Sequence, residues 1–232
     1  MFKVSIVREG KLLEKAQALR YKVFFSGRGK DQDRFDRFCR HLVAVDKKTG
    51  KAVGTYRLLL GSVASKNLGF YSESEFDLKK IKHNCKGELL EMGRACVDSS
   101  YRKYPVINLM WAELLAYFKK NKVKYVFGCS SIPNPSKEQV GALLRFFKKK
   151  CFAPPEFRAY PLKGKKYPYL KTKGRINERE VLRSLPSLVK GYLKMGAYVC
   201  SEPVWDREFN TADFFMLVDT ARLNASFKKR FL

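Results

Sequence analysis

The chain has 232 residues, 45% of them apolar, which is enough for a packed core and too many for a disordered segment. Against 22 Asp and Glu stand 48 Lys and Arg, a net charge of +26 that selects acidic partners such as nucleic acid, anionic lipid or an acidic carrier protein. The six cysteines (39, 85, 96, 129, 151 and 200) show no CxxC or Cys/His spacing and lie partly in apolar runs, so they read as reduced, mostly buried thiols of a cytoplasmic protein.

The opening Met1-Phe-Lys-Val carries no signal-peptide pattern. Residues 2–7 alternate as a first strand, and Gly10 turns the chain into residues 11–24, where apolar positions 12, 13, 16, 19, 23 and 24 form a helical stripe. Ala16, Arg20 and Phe24 share one side of that helix. Arg20 then stands at the margin of the buried stripe, either as a site-facing cation or as an arginine snorkelling to the surface. Residues 25–40, rich in Gly, Asp and Arg, read as a loop, a mobile lid or a solvated connection. Asp31, Asp33 and Asp36 loosely suggest calcium spacing, but the glycine and terminal glutamate of an EF-hand loop are missing, so no metal is expected.

Residues 41–45 and 52–60 form a hairpin pattern around a Gly-containing turn. Arg57, embedded in the second strand, calls for a carboxylate partner: Asp33, Asp36 or Glu91. A polar stretch, 70–78, leads to Glu88-Leu-Leu-Glu-Met-Gly-Arg-Ala-Cys-Val97, an apolar strand oddly equipped with a carboxylate, a glycine and an arginine. Strict alternation puts Glu91, Gly93 and Ala95 on one face and Met92, Arg94 and Cys96 on the other. A glycine inside a strand often marks a bulge, whose extra residue would bring Glu91 and Arg94 to the same face. Such a pair is either chemical or a structural ion pair.

Pro105 begins an apolar helix to residue 120, interrupted by Asn108 and Glu113 and too short to span a bilayer, so any membrane contact is expected to be peripheral. Residues 125–130 read as a short buried strand, and Ser136-Lys-Glu-Gln139 as a capping box for a helix to 150. Strand, helix and strand in this order predict a right-handed crossover and a mixed sheet. Beyond 151, prolines alternate with Lys163, Lys165, Lys166, Lys171 and Lys173 in a basic, aromatic region, a docking surface or a solvated excursion. Leu185-Pro opens a helix ending at Gly196, 197–200 and 212–218 are closing strands, and the tail Phe227-Lys-Lys-Arg-Phe-Leu232 is a candidate contact with anionic lipid. One domain is expected over 1–232, its core in roughly the first 150 residues.

Several blocks, in order, carry a resemblance: Leu19-Arg-Tyr-Lys-Val-Phe24, Asp31-Gln-Asp-Arg-Phe-Asp36 with Cys39 and His41-Leu, Gly54-Thr-Tyr-Arg-Leu58, Phe70-Tyr-Ser-Glu-Ser-Glu-Phe-Asp-Leu78, Glu91-Met-Gly-Arg94, Phe127-Gly-Cys-Ser-Ser131, Leu185-Pro with Gly191-Tyr-Leu-Lys-Met-Gly-Ala197, and Phe209-Asn-Thr-Ala-Asp-Phe214. As a set they resemble the bacterial ornithine lipid N-acyltransferases, hemolysin-like members of the GNAT acyltransferase superfamily. A shorter resemblance, within the first hundred residues, is to acyl-homoserine lactone synthases, whose characteristic positions match Arg20, Phe24, Asp33, Asp36, Arg57, Glu91 and Arg94.

The resemblance implies an α/β (α+β) GNAT-like fold, a mixed central sheet flanked by helices. It implies transfer of an acyl chain, typically 3-hydroxyacyl, from acyl carrier protein to the α-amino group of ornithine, giving lyso-ornithine lipid. No cofactor is bound; the donor is a phosphopantetheine thioester lying between the Glu91 strand and residues 125–130. Gly93, Ala95, Cys96, Cys129 and Ser130 line it, an amide near Gly93 to Ala95 polarises its carbonyl, and the two thiols are packing residues rather than acyl carriers. Glu91, with Arg94, is the catalytic pair, Glu91 serving as general base. Arg20, Phe24, Asp33, Asp36, Arg57 and Phe76 are substrate-binding: the two acids for the acceptor's side-chain ammonium, the arginines for its carboxylate or for holding the acids. Where acetyl-CoA users have a glycine-rich pyrophosphate loop, this chain has Tyr101-Arg-Lys-Tyr-Pro-Val106. That fits a carrier-bound pantetheine with one phosphodiester, held by Arg102 and Lys103. The expected partners are an acidic acyl carrier protein, ornithine or another amino acid, and an anionic inner-membrane surface.

Three other readings are weaker. An acyl-homoserine lactone synthase would not need the long C-terminal part. A nucleic-acid-binding protein would explain the charge, but zinc-finger, RNP and GXXG signatures are missing. A membrane-lytic hemolysin would need a pore-forming or strongly amphipathic segment.

Overall fold

The computed structural model describes residues 1–171, 177–225, 227 and 229. In chain order the elements are β1 (Phe2–Val7), α1 (Lys11–Phe25), β2 (Arg40–Asp46), β3 (Ala52–Leu60), α2 (Gly61–Ala64), β4 (Phe76–Asp77), α3 (Lys79–Asn84), β5 (Glu88–Val97) and α4 (Val106–Lys120). There follow β6 (Val123–Pro133), α5 (Lys137–Lys150), β7 (Tyr160–Pro161), α6 (Glu178–Ser184), α7 (Ser187–Met195), β8 (Tyr198–Val199), β9 (Val204–Asp206) and β10 (Thr211–Asp219). The chain folds as two compact units interleaved in sequence, one taking in Met1–Phe70 and Glu88–Val123, the other Tyr71–Gly87 and Lys124–Phe227.

In the first unit β1, β2, β3 and β5 pair antiparallel in that order. The β2–β3 turn is closed by Asp46, whose carboxylate accepts from the Lys48 amide at 2.9 Å and from Thr49 Oγ1 at 3.2 Å, while Gly50 takes a left-handed φ of 66°. Helices α1 and α4 cover opposite faces. On the α4 face Tyr56 meets Trp111 edge-on, and Gly54 is required because a Cβ there would come within 2.6 Å of Met110 Sδ. On the other face Arg20 of α1 and Arg57 of β3 reach for the same carboxylate, Asp36.

In the second unit β10 runs antiparallel to β6 and to both β8 and β9, and Phe152 bridges Val199 in parallel. Its core is aromatic: Phe76, Phe127, Phe147, Phe214 and Phe215 are all buried. Ser136 Oγ accepts from the Gln139 amide at 3.1 Å, capping α5, and Gly196 ends α7 in the left-handed region at φ 97°.

Most long elements lie where periodicity put them. The strand expected at 125–130 is longer, Val123–Pro133, and the region after residue 70 holds β4 and α3 as well as polar turns. From residue 31 onward, residues 25–40 are neither a lid nor a solvated connection. There Asp31, Phe35, Asp36 and Cys39 are buried, and the Asp31 amide donates to Gln17 O at 3.1 Å. All six cysteines are free thiols. Among the described residues no helix is long and apolar enough to cross a membrane. Lys173, and residues 228 and 230–232 of the basic tail, lie outside the described residues.

Candidate active site

The first unit contains a buried network of three arginines and three aspartates. Arg20 is fully buried, its Nη2 2.9 Å from Asp36 Oδ2, its Nε 2.8 Å from Asp31 Oδ2, and its guanidinium also donating to Asp31 O. Arg57 Nη1 donates to Asp33 Oδ2 at 2.7 Å and lies 3.4 Å from Asp36 Oδ1. Arg94 closes the ring, Nη2 3.2 Å from Asp33 Oδ2 and Nε 3.3 Å from Asp31 Oδ2. The contacts of Asp31 Oδ2 with the two Nε atoms are ion pairs without hydrogen-bond geometry. The Phe35 amide donates to Asp33 Oδ1 at 2.8 Å and the Asp33 amide to Asp36 Oδ2 at 3.1 Å, so the loop orients the acids through its own backbone.

Charge balance makes this burial affordable. Burial alone would raise the Asp33 carboxyl, but the charge and hydrogen bond of Arg57, the Phe35 amide and the charge of Arg94 leave it below its ordinary value. For Asp36 burial is likewise outweighed, first by Arg20 and then by Arg57. Burial would lower Arg57, yet Asp33 and Asp36 push it further into its charged range. Beneath the network His41 is fully buried, Nε2 3.2 Å from Asp36 O, and burial lowers its pKa so that the ring stays neutral. Its Nδ1 finds no hydrogen-bond partner. The sequence reading met His41 as the start of a strand and Asp31 in an acidic run and a rejected calcium pattern, and gave neither a role in the site.

The bulge anticipated at Gly93 is present, and it decides what the network faces. Thr55 pairs with Cys96 but Arg57 with Gly93, so Tyr56 alone opposes Arg94 and Ala95. Arg94 takes a left-handed φ of 49°, the turn of backbone that sends its side chain to Asp33 and Asp31. Gly93 stands opposite Arg57 and Glu91 opposite Leu59, so Arg57 and Glu91 share a sheet face with the bare Cα of Gly93 between them. A Cβ on Gly93 would meet nothing within 4 Å. Glu91 is buried, and its charge, with those of Asp36 and Asp33, is felt at the Cys39 thiol, which burial pushes up to about 12. Gly93, Arg94 and Ala95 are half-buried, so β5 surfaces at the bulge.

The other expected residues separate into groups. Phe24 is half-buried on α1. Cys96 is buried, its thiol also at about 12, the character of a packing residue. Arg102 and Lys103 are exposed just before α4. The turn ahead of them is fixed by Asp98, which accepts from the Ser100 amide at 3.0 Å and from Lys22 at 2.8 Å, and by Tyr101 Oη donating to Asp46 at 3.0 Å. Phe76, Cys129 and Ser130 belong to the second unit. Phe76 is fully buried against Phe215, and Ser130 is buried at the β10 ladder opposite Phe214. Cys129 Sγ lies 3.2 Å from Glu75 Oε2 and 3.4 Å from Ser72 Oγ. Asp213 accepts from Ser131 Oγ at 3.1 Å and Thr211 Oγ1 at 2.5 Å. Glu75, Cys129 and Asp213 bring their side-chain polar atoms within 4.8 Å of one another, a network of buried acids, thiol and hydroxyls that no single sequence block announces.

Comparison with known proteins places this geometry. Residues 19–112 match the acetyltransferase (GNAT) domain family, a segment that takes in the end of α1, the acidic loop, β3 and the bulged β5. An L-ornithine N(alpha)-acyltransferase of Brucella abortus is 34% identical over 97% of this chain and 86% of its own length, and one of Agrobacterium fabrum 32% identical over 94% and 80%. The chain belongs to the L-ornithine N(alpha)-acyltransferase family. Among solved structures, the N-acyl amino acid synthase FeeM matches with TM-score 0.55 at 10% identity, over 96% of this chain and 94% of that one. The CoA-dependent acyl-homoserine lactone synthase BjaI matches with TM-score 0.55 at 12% identity, over 99% and 89%. At such identities the likeness is one of fold. Within the ornithine acyltransferase family the fold is thus the GNAT α+β fold, and the chain is an acyltransferase enzyme.

Proposed function

We propose that the protein acylates the α-amino group of ornithine, drawing a 3-hydroxyacyl chain from an acidic acyl carrier protein, with the reaction centred on the bulge of β5. The observation that carries this reading is the open space over Gly93, flanked on the same sheet face by Glu91 and Arg57. A thioester laid along that face meets the backbone of the bulge, and an amide there polarises the carbonyl as an oxyanion donor. Glu91 takes a proton from the acceptor's ammonium, directly or through water, because an amine must lose its proton before it attacks. The nitrogen then bonds to the carbonyl carbon, the carbon–sulfur bond breaks, and the carrier's thiol leaves with a proton.

The aspartates take a different role from cation recognition. Asp33 and Asp36 already hold Arg57, Arg94 and Arg20, so they set the arginines in place, and Arg94 at the half-open edge of the network is the group offered to the acceptor's carboxylate. Arg102 and Lys103, on a turn made rigid by Asp98, take the pantetheine phosphodiester. The product is a lipid, and a chain of charge +26 is drawn to the anionic membrane face where it is delivered.

The test is to incubate the pure protein with acyl carrier protein or with acyl-CoA and a panel of amino acids, and to read the products by mass. Acylated ornithine from the carrier-bound donor is expected. A preference for acyl-CoA, or for another amino acid, would overturn that part of the assignment.

A further inference from the structure

The second unit has a cavity of about 770 Å³ between the end of α5, the Phe152–Pro161 segment and β8. Its floor is apolar and buried, formed by Ala153, Ala159 and Cys200, and Phe152 and Tyr198 wall it. Volumes of this order, mostly apolar with a few polar groups, are typical of small-molecule sites. Two of the polar groups here, Arg158 and Lys148, are cationic. Arg158 lines the cavity with its Nε bound to Ala153 O at 3.1 Å and its guanidinium 5.3 Å from the centre of the Phe152 ring. Backbone and ring thus fix the fork, and among the described residues no carboxylate lies within ion-pair distance of it. Lys148, also in the lining, sits 5.9 Å from the same ring. The single carboxylate of the lining, Glu202, is engaged by Lys166, by Lys148 at 3.5 Å and by Tyr169 Oη at 2.9 Å, and Lys166 and Tyr169 help hold its pKa below the ordinary value despite burial. It has little charge left to offset Arg158.

We infer that this cavity binds an amphiphile with a single anionic head, the head on Arg158 and Lys148 and the apolar chain over Phe152, Tyr198 and the floor. A preorganised guanidinium with no carboxylate partner favours a carboxylate or phosphate oxygen pair, which it takes with two parallel hydrogen bonds. The apolar floor favours a ligand that also buries a chain, and disfavours a free inorganic anion. A lipid carboxylate and a lipid phosphate share this chemistry. The inference stands on the second unit alone and is independent of the reaction assigned to Glu91.

Calorimetric titration of the full chain with decanoate, decyl phosphate, decyltrimethylammonium and inorganic phosphate tests it. Saturable binding of one or both decyl anions is expected, at least about tenfold tighter than the decyl cation or inorganic phosphate, and the tighter of the two identifies the head group as carboxylate or phosphate. Arg158→Gln should weaken the anions by about tenfold or more, Arg158→Lys should restore part of the loss, and Glu91→Gln should leave binding unchanged. Equal binding of the cationic amphiphile by the wild type would overturn the inference without recourse to any variant. So would the absence of saturable binding, an Arg158→Gln protein that binds as well as the wild type, or loss of binding in Glu91→Gln.

Discussion

Replacing Gly93 by alanine separates folding from chemistry at the bulge. The new Cβ has no protein atom within 4 Å, and Gly93 lies outside the left-handed region, so neither clash nor backbone strain opposes the change. Removing a glycine from the unfolded ensemble stabilises a compatible site by about 0.4–1 kcal/mol. For a chain of this length that raises Tm by about 1–4 °C. The methyl group nevertheless occupies the space between Arg57 and Glu91 where the thioester is proposed to lie. A reacting centre displaced by about 1 Å loses on the order of 10²-fold in rate. Release of the carrier's thiol, followed with a thiol reagent, reports turnover, and thermal unfolding reports stability. Unchanged turnover in Gly93→Ala would refute the placement of the thioester on this face, and a fall in Tm of more than about 5 °C, well beyond the usual worth of such a change, would refute the claim that the space is open.

Acid should act on this fold in two stages. His41 has a folded pKa below 6.5, so its contribution is full above that value and declines as pH falls below it, because the unfolded chain takes the proton first. Asp33 and Asp36, held below 3.8, contribute above that value and lose their contribution as pH falls through their folded values. Tm measured against pH should therefore start to fall near 6.5 and steepen below 3.8, and His41→Gln should remove the first stage only. A wild-type Tm flat from pH 6.5 to 4.5 would contradict the buried neutral ring. Carrier docking on Lys148, Lys149, Lys150 and Lys163 to Lys166 should be electrostatic. Raising salt from roughly 0.1 to 1 M, which shortens the Debye length from about 10 to about 3 Å, should cut the rate at limiting carrier steeply; a flat profile would count against it. Flotation should recover more protein with anionic vesicles than with neutral ones, and equal recovery would remove the charge-driven membrane contact.

What the sequence disclosed, and what it hid, follows from how far each signal extends along the chain. Helices α1, α4 and α5 run for three turns or more, so their apolar stripes are visible, and the hairpin is marked by its turn. Gly93 announced the bulge because a glycine has little other reason to interrupt an apolar strand. Arg57 announced a carboxylate for the same reason. Strands β4, β7 and β8 have two residues each and β9 three, too few to show alternation; β8 and β9 exist because the longer β10 holds them, and β4 and β7 pair with each other. Asp31 and His41 were hidden by context. An aspartate among Gly, Arg and Lys looks solvated, and only the burial of Arg20 beneath the loop makes Asp31 an internal counter-ion. The interleaving of the two units was equally out of sight, because it depends on which distant segments pack together.

The central claim is that Glu91 is the base, and Glu91→Gln tests it most directly. Glutamine keeps the shape and most of the hydrogen bonding of the side chain while removing its ability to take a proton. Thiol release should fall by about 10² to 10⁴-fold, the usual worth of general-base catalysis, with carrier binding and the thermal midpoint little changed. A folded Gln variant that turns over near the wild-type rate at neutral pH would contradict the account and leave Glu91 a structural partner of the arginine network.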